Sequence, residues 1–150
     1  MTDSPSYKNK INKTIEINAA VSEVWDALTN PELIKLWMSD SEISAVSDWQ
    51  VGAPIIFKGN LHWTNFENRG IIQQFEPEKV FHYNYLSSLS ELPDIPKNYT
   101  SVCFVLTPME NKTTILLTLS NFPNEVIYKH VNFYWNVTLN ILKKLCEEQS

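Results

Sequence analysis

The chain has 150 residues, 43% of them apolar and 12% aromatic, which is enough for one domain with a substantial core. Its net charge of −5, with 12 lysines and arginines that form no basic run, argues against nucleic acid as the main partner. The two cysteines are expected to be reduced, since a disulfide framework normally uses more. The polar N-terminus lacks signal-peptide features and no apolar run approaches a membrane span, so we expect a cytoplasmic protein without membrane insertion.

The first elements are predicted to be one strand and two short helices. Residues 1–10 are expected to be a flexible lead-in and residues 11–148 a single domain. The β-branched run Ile11–Ile17 predicts the first strand. Apolar residues at helical spacing predict a helix over VSEVWDAL that begins near Ser22, and Asn30 with Pro31 predicts a second helix ending at Trp37.

Alternating apolar and polar residues then favour strands. Six are predicted, at Ser41–Val46, Pro54–Asn60, Phe66–Glu76, Lys79–Leu86, Thr100–Thr107 and Thr113–Asn121. Ser87–Asn98, with two prolines and several small polar residues, is predicted to be the longest loop. Alternation suits an antiparallel sheet with one solvated and one buried face.

The segment from Pro123 to Glu148 is predicted to be one long helix. It contains no internal glycine or proline, and at 1.5 Å per residue it would be roughly 35 Å long. Its predicted apolar face consists of Ile127, Val131, Tyr134, Trp135, Thr138, Leu139, Ile141, Leu142 and Leu145. The last two strands would point Val102, Phe104, Leu106, Ile115, Leu117 and Leu119 at this face. The sequence therefore predicts an α+β fold in which a curved antiparallel sheet holds the helix.

The segment INKTIEINAAVSEVWDALTNPELIKLW resembles the opening of the START-like helix-grip superfamily, also called SRPBCC. Further similarities lie in Arg69–Val80, in Thr113–Phe122, and in Trp135, Leu139 and Leu142. The branch it resembles is named for homology to the activator of the heat-shock protein 90 ATPase. We do not expect the N-terminal chaperone-binding domain of the co-chaperone activators in these 150 residues, so the resemblance alone does not imply chaperone activation.

This resemblance implies a cavity between the sheet and the long helix, used for apolar or amphipathic small molecules. The residues that would line it are Trp37, Phe57, Trp63, Phe66, Tyr83, Tyr85, Phe104, Leu117, His130 and Tyr134. The same aromatic side chains could instead fill the core. Tyr83 and Tyr85 are of special interest, because a buried phenol needs a hydrogen-bond partner and can offer a hydrogen bond to a ligand.

Other polar residues have both a structural and a functional interpretation. His130 could bind a ligand or be a satisfied helix histidine, and His62 could lie at a cavity mouth or in a solvated loop. His82 is predicted to face solvent. Glu67 and Arg69 share a face and could anchor a polar head group, although an exposed ion pair is the default. No catalytic residue, metal ligand or cofactor is predicted.

Three functions remain open at this stage. The leading one is non-catalytic binding of a small hydrophobic ligand, including a lipid. The second is an enzyme such as a cyclase, dehydratase or hydrolase acting on aromatic or polyketide-like substrates, with Tyr83, Tyr85, His130 and Glu67 as candidates. The third is a stress-related protein-interaction module, or a homodimer, that uses the 87–98 loop with Leu89, Leu92 and Ile95.

Overall fold

A computed structural model describes residues 9–39, 42–61 and 63–149 of the chain, and the side chains of 61 and 149 are left out of the description. The elements are β1 (Lys10–Ile17), α1 (Val21–Thr29), α2 (Pro31–Trp37), β2 (Ile43–Ser47), β3 (Pro54–Leu61), β4 (Thr64–Glu76), β5 (Val80–Ser87), β6 (Thr100–Met109), β7 (Lys112–Ser120) and α3 (Glu125–Gln149). The predicted order of strands and helices is confirmed. Most of the predicted lead-in lies outside the described residues, and Lys10 already belongs to β1.

The seven strands form one antiparallel sheet in the order β1-β7-β6-β5-β4-β3-β2. Consecutive strands from β2 to β7 are neighbours, and short hairpin connections join them except between β5 and β6, where residues 88–99 form a longer connection. β1 joins the far edge by pairing with β7, from Lys10 opposite Ser120 to Ile17 opposite Thr113. The α+β helix-grip fold is therefore confirmed.

Side-chain caps explain where two of the helices begin. The Asn30 side chain accepts a hydrogen bond from the Glu32 amide at 3.0 Å, as predicted for α2. α3 begins at Glu125 and not at Pro123, because the Asn124 side chain accepts a hydrogen bond from the Ile127 amide and so acts as the N-cap. α1 begins at Val21, one residue before the predicted start, without a side-chain cap.

Polar contacts hold α3 along β1. The Lys13 Nζ donates to the side chain of Asn132 at 2.7 Å, and the Lys143 Nζ donates to the Glu16 carbonyl oxygen at 2.6 Å. The Glu147 carboxylate accepts a hydrogen bond from the backbone amide of Asn18, which with Lys143 lowers the pKa of Glu147. These contacts set the position of the helix relative to the edge of the sheet.

The rest of α3 covers the inner face of the sheet. The predicted inward residues of β6 and β7 are all buried. On α3 the buried positions are Val131, Trp135, Thr138, Leu139, Leu142 and Cys146, whose mostly three- and four-residue spacing follows the turn of the helix. Ile141 was predicted to share this face but is 40% exposed, because it lies one residue, or about 100°, away from Leu142. Within the described residues, no helix combines the length and apolar character that crossing a membrane requires.

Candidate functional site

One part of the interface between α3 and the sheet is filled by large side chains. The ring of Trp135 lies 5.6 Å from that of Phe104 and 6.3 Å from that of Trp37, measured between centroids. Trp37 is oriented by its indole N–H, which donates to the Ala27 carbonyl oxygen at 2.8 Å. We call this region the packed end, and it comprises Trp37, Phe104, Leu117, Trp135, Leu139 and Leu142. Three residues predicted to line a cavity, Trp37, Phe104 and Leu117, are core residues here.

A second region of the inner face carries phenol groups. Tyr83 and Tyr85 follow each other on the inner side of β5, and the Tyr83 ring lies 5.5 Å from that of Phe57 on β3. Tyr134 reaches the region from α3, where its hydroxyl donates a hydrogen bond to the carbonyl oxygen of Met38 at the end of α2. The three phenols are close enough for Tyr85 and Tyr134 to influence the ionisation of Tyr83.

Asn68 of β4 belongs to the same region. It lies opposite Phe57 of β3 on one side and opposite Ser87 of β5 on the other. Tyr85 stands two residues from Ser87 on the same face, which makes it a diagonal neighbour of Asn68, and such neighbours are within reach of long side chains. We call Asn68, Tyr83, Tyr85 and Tyr134 the polar cluster.

Burial raises the pKa of two phenols of the polar cluster. It raises the pKa of Tyr83 well above its usual value, with further contributions from Tyr85 and Tyr134, and it raises the pKa of Tyr85 to about 12. At neutral pH each phenol can therefore donate a hydrogen bond to an incoming group.

Two surface grooves lie away from α3. The larger, of about 520 Å³, is lined mainly by polar and charged side chains of β2 to β4, among them Glu42, Lys58 and Glu67. The smaller, of about 180 Å³, lies between Arg69 and the segment from Leu86 to Tyr99. Neither has the apolar lining expected of a site for a hydrophobic molecule.

The structure separates several of the predicted site residues from the polar cluster. Trp63 lies in the turn between β3 and β4 with a φ of 69° and is 97% exposed, so it does not line the inner region. His130 is exposed on α3 and stacks on Tyr134 at 6.5 Å. Phe66 is half-buried against Gly59, at the margin of the sheet. Of the predicted set, Phe57, Tyr83, Tyr85 and Tyr134 are brought together.

The remaining polar candidates face outward or pair with neighbours. Glu67 forms an ion pair with Arg69 at 2.9 Å, and both side chains are partly exposed, as the default interpretation expected. His82 alternates with the buried Phe81 and Tyr83 and is half-buried, and its Nε2 forms a 2.6 Å hydrogen bond with Ser101 on the neighbouring strand. The prediction for His62 lies outside the described residues. Among the described residues, no group of three acidic, histidine or cysteine side chains is placed to hold a metal ion.

Sequence reasoning missed Asn68 and Met38. Asn68 is one of three asparagines in the stretch from residue 60 to 68, so its residue type alone does not distinguish it. Its position two residues before the buried Gly70 on an alternating strand was the available signal, because that spacing directs its side chain inward. Met38 contributes only its carbonyl oxygen, which no sequence pattern marks.

Comparisons with known proteins agree with this fold. Residues 18–147 match the family described as Activator of Hsp90 ATPase homolog 1-like protein. Comparison with curated proteins gives no significant match. A protein from Cytophaga hutchinsonii with a known solution structure is 36% identical, with a TM-score of 0.79 and coverage of 95% of this chain and 96% of that one.

Two more distant structures share the fold. The Aha1 dimer from Colwellia psychrerythraea is 24% identical, with a TM-score of 0.72 and coverage of 92% of this chain and 96% of that one. A protein of the dynemicin biosynthetic locus is 18% identical, with a TM-score of 0.70 and coverage of 92% of this chain and 47% of that one. At these identities the similarity concerns the fold.

Proposed function

This chain belongs to the Activator of Hsp90 ATPase homolog 1-like family, and we propose that it binds a small hydrophobic or amphipathic molecule at the polar cluster, between the sheet and α3. The observation that carries the proposal is the Asn68 Oδ1, which is buried without a hydrogen-bond partner, beside the inward phenols Tyr83 and Tyr85. Buried polar groups in proteins are nearly always paired, so unpaired ones mark a place where another molecule can complete the pairing.

The surroundings of the phenols supply the apolar part of such a site. The ring of Phe57 contacts Tyr83, and the ring of Phe81 lies 5.1 Å from Tyr83 on the other side. α3 packs mainly along β1, α1 and α2. Tyr134, on the N-terminal half of α3, is close enough to Tyr83 of β5 to influence its ionisation. An apolar wall with a few convergent polar groups is the usual composition of a small-molecule site.

Ligand binding can be tested with native mass spectrometry and chemical-shift mapping against a library of uncharged lipophilic compounds. We expect the mass of a bound compound to be retained on the protein, and the amide resonances to shift at Phe57, Asn68, Tyr83 and Tyr85. Tyr85→Trp should weaken binding, because the larger indole takes up space in the region. Leu86→Trp is the matched control, since the neighbouring side chain lies by the smaller surface groove. Shifts confined to the outer grooves, or no retained mass, would overturn the proposal.

Catalysis on an aromatic substrate is the second candidate function. Tyr83 and Tyr85 face inward, whereas the other two candidates, His130 and Glu67, are directed outward or paired with Arg69. A phenol whose pKa is raised to about 12, as in Tyr85, is a poor proton carrier at neutral pH, where efficient acid–base catalysts have pKa values close to the working pH. This difference favours binding over proton transfer.

The 87–98 loop is the proposed contact for self-association. It contains two short 3-10 turns and leaves Leu89 47% and Ile95 37% exposed, while Leu92 is half-buried. A homodimer would cover these side chains, and one related structure is described as a dimer. Light scattering after size exclusion should show that the wild type is a dimer. The double substitution Leu89→Ser and Ile95→Ser should dissociate this dimer, whereas the control Val51→Ser, at another exposed position, should leave it intact. A monomeric wild type, or a dimer unaffected by the double substitution, would contradict this.

The cytoplasmic location and a stress-related partner stay predictions.

A further inference from the structure

The Asn68 side chain favours molecules that bring a hydrogen-bond donor into the polar cluster. Its Oδ1 is buried and has no hydrogen-bond partner. A buried acceptor without a donor costs more free energy than a hydrogen bond gains when it forms, so the arrangement is unfavourable unless a donor arrives. The same amide also carries a donor, Nδ2, two bonds from Oδ1.

The polar cluster offers no compensation for a charged ligand among the described residues. The groups that perturb the pKa of Tyr83 besides burial are two other phenols, and for Tyr85 the cause is burial alone. The nearest charges along β4, Glu67 and Arg69, are paired with each other on exposed side chains. Burying an ionised carboxylate or ammonium without a partner costs far more than burying a neutral polar group.

We propose that Asn68, together with Tyr83 and Tyr85, selects a ligand whose polar end is uncharged and carries a hydrogen-bond donor, as in an alcohol or a primary amide. The donor of the ligand satisfies Asn68 Oδ1, and an acceptor on the same group receives a hydrogen bond from a phenol. This inference rests on the proposed function. It makes Asn68 a specificity-determining residue and distinguishes the preferred ligand from a fatty-acid anion of the same length.

Four probes with a ten-carbon chain test the selectivity directly on the unmodified protein. They are decanol, decanamide, decyl methyl ether and decanoate, and their dissociation constants are measured by titration at neutral pH. Decanol and decanamide should bind about tenfold more tightly than the ether, which accepts but cannot donate a hydrogen bond. Decanoate should bind at least about tenfold more weakly than decanol, because its charge is unpaired in the polar cluster.

A substitution then assigns the selectivity to Asn68. Asn68→Leu removes the unpaired acceptor, so the ratio of decanol to ether affinity should fall to about one, with the ether binding at least as well as before. The matched control is Asn65→Leu. Asn65 is on the same strand but is exposed and accepts a hydrogen bond from the side chain of Asn60, so the ratio should not change. Thermal melting confirms that each variant is folded, and Asn68→Ala replaces Asn68→Leu if the latter is not.

The outcomes separate this inference from the proposed function. If all four probes bind with equal affinity, the selectivity is absent and the inference is overturned while ligand binding stands. If the decanol preference persists in the Asn68 variants, Asn68 is not its source and the inference is likewise overturned. If no probe binds, the proposed function fails and this inference fails with it.

Discussion

The packed end and the polar cluster lie side by side between α3 and the sheet but bury different groups. In the packed end, rings and aliphatic side chains fill the space, and the indole N–H of Trp37 is paired with the Ala27 carbonyl oxygen. In the polar cluster, Asn68 Oδ1 is buried without a partner and two phenols face inward. The first arrangement fills its space from within the chain, whereas the second leaves one buried acceptor unpaired. Under the proposed function, the same helix serves stability at one end and recognition at the other.

A substitution at Gly70 should disturb the wall behind the polar cluster most severely. A Cβ at Gly70 would lie 1.7 Å from the Asn84 carbonyl oxygen, which forces the β4 and β5 backbones apart. The side-chain Oδ1 of Asn84 also accepts a hydrogen bond from the Ile71 amide, and this hydrogen bond would be lost as well. We expect Gly70→Ala to lower the free energy of unfolding by about 4 kcal/mol or more, measured by urea denaturation.

Gly52→Ala is the control for this glycine. Gly52 has a φ of 87° and nothing within 4 Å of an added Cβ, so the substitution introduces only backbone strain of about 1 kcal/mol. Equal losses in the two variants would show that the close approach of Gly70 to Asn84 does not determine stability.

Adjacent residues of α3 test the packed end. Leu142 is fully buried and Ile141 is 40% exposed, although both are aliphatic residues of the same helix. Leu142→Ala should lower the free energy of unfolding by about 3 kcal/mol, because it leaves a cavity among rigid neighbours. Ile141→Ala should cost less than about 1 kcal/mol. Similar costs in the same denaturation experiment would contradict the assignment of Leu142 to a tightly packed interface.

Much of the fold could be predicted from the sequence, because strand alternation and helix caps are local signals. The cap at Asn30 is an example, since Asn followed by Pro fixes a helix start without any tertiary information. The start of α3 was misplaced because both Pro123 and Asn124 suit a helix N-terminus. Only the hydrogen bond from the Ile127 amide shows which of them is the cap.

The candidate site was less predictable, because it depends on which strands are neighbours. The sequence identifies Phe57, Tyr83 and Tyr134 as aromatic residues at inward positions, but it does not show which aromatic side chains fill space and which line a site. Trp63 illustrates the limit. Its residue type suggests burial, yet it lies in a turn where the chain has a positive φ and the indole faces solvent.

Alkaline pH should lower the free energy of unfolding through groups in both regions, but the loss should begin at a different pH for each group. Burial, with a contribution from Glu23 and Glu147, raises the pKa of Cys146 next to the packed end from 9.0 to about 12. Burial raises the pKa of Tyr85 in the polar cluster from 10.0 to about 12. The unfolded chain releases these protons at lower pH than the folded chain does. Their contribution to stability is therefore complete below pH 9 and is lost as the pH rises toward 12.

Two variants separate these contributions when unfolding is measured across this pH range. Relative to the wild type, Cys146→Ala should reduce the pH-dependent loss of stability from about pH 9 upward, and Tyr85→Phe should reduce it from about pH 10 upward. The comparison uses the slope with pH, so a constant loss of stability from the substitution itself does not affect it. A slope that neither substitution changes would show that these groups ionise alike in the folded and unfolded chains.

The smallest expected effect concerns the contact that joins α3 to α2 above the polar cluster. Tyr134→Phe removes the hydrogen bond from the phenol to the Met38 carbonyl oxygen and keeps the ring, so the free energy of unfolding should fall by about 1 kcal/mol. His130→Ala, one turn earlier on an exposed position, should change it by less than about 0.5 kcal/mol. Hydrogen exchange at the end of α2 should rise in Tyr134→Phe alone, because Tyr134 and not His130 fixes that backbone. If both variants leave exchange unchanged, the hydrogen bond from Tyr134 does not hold the end of α2 in place.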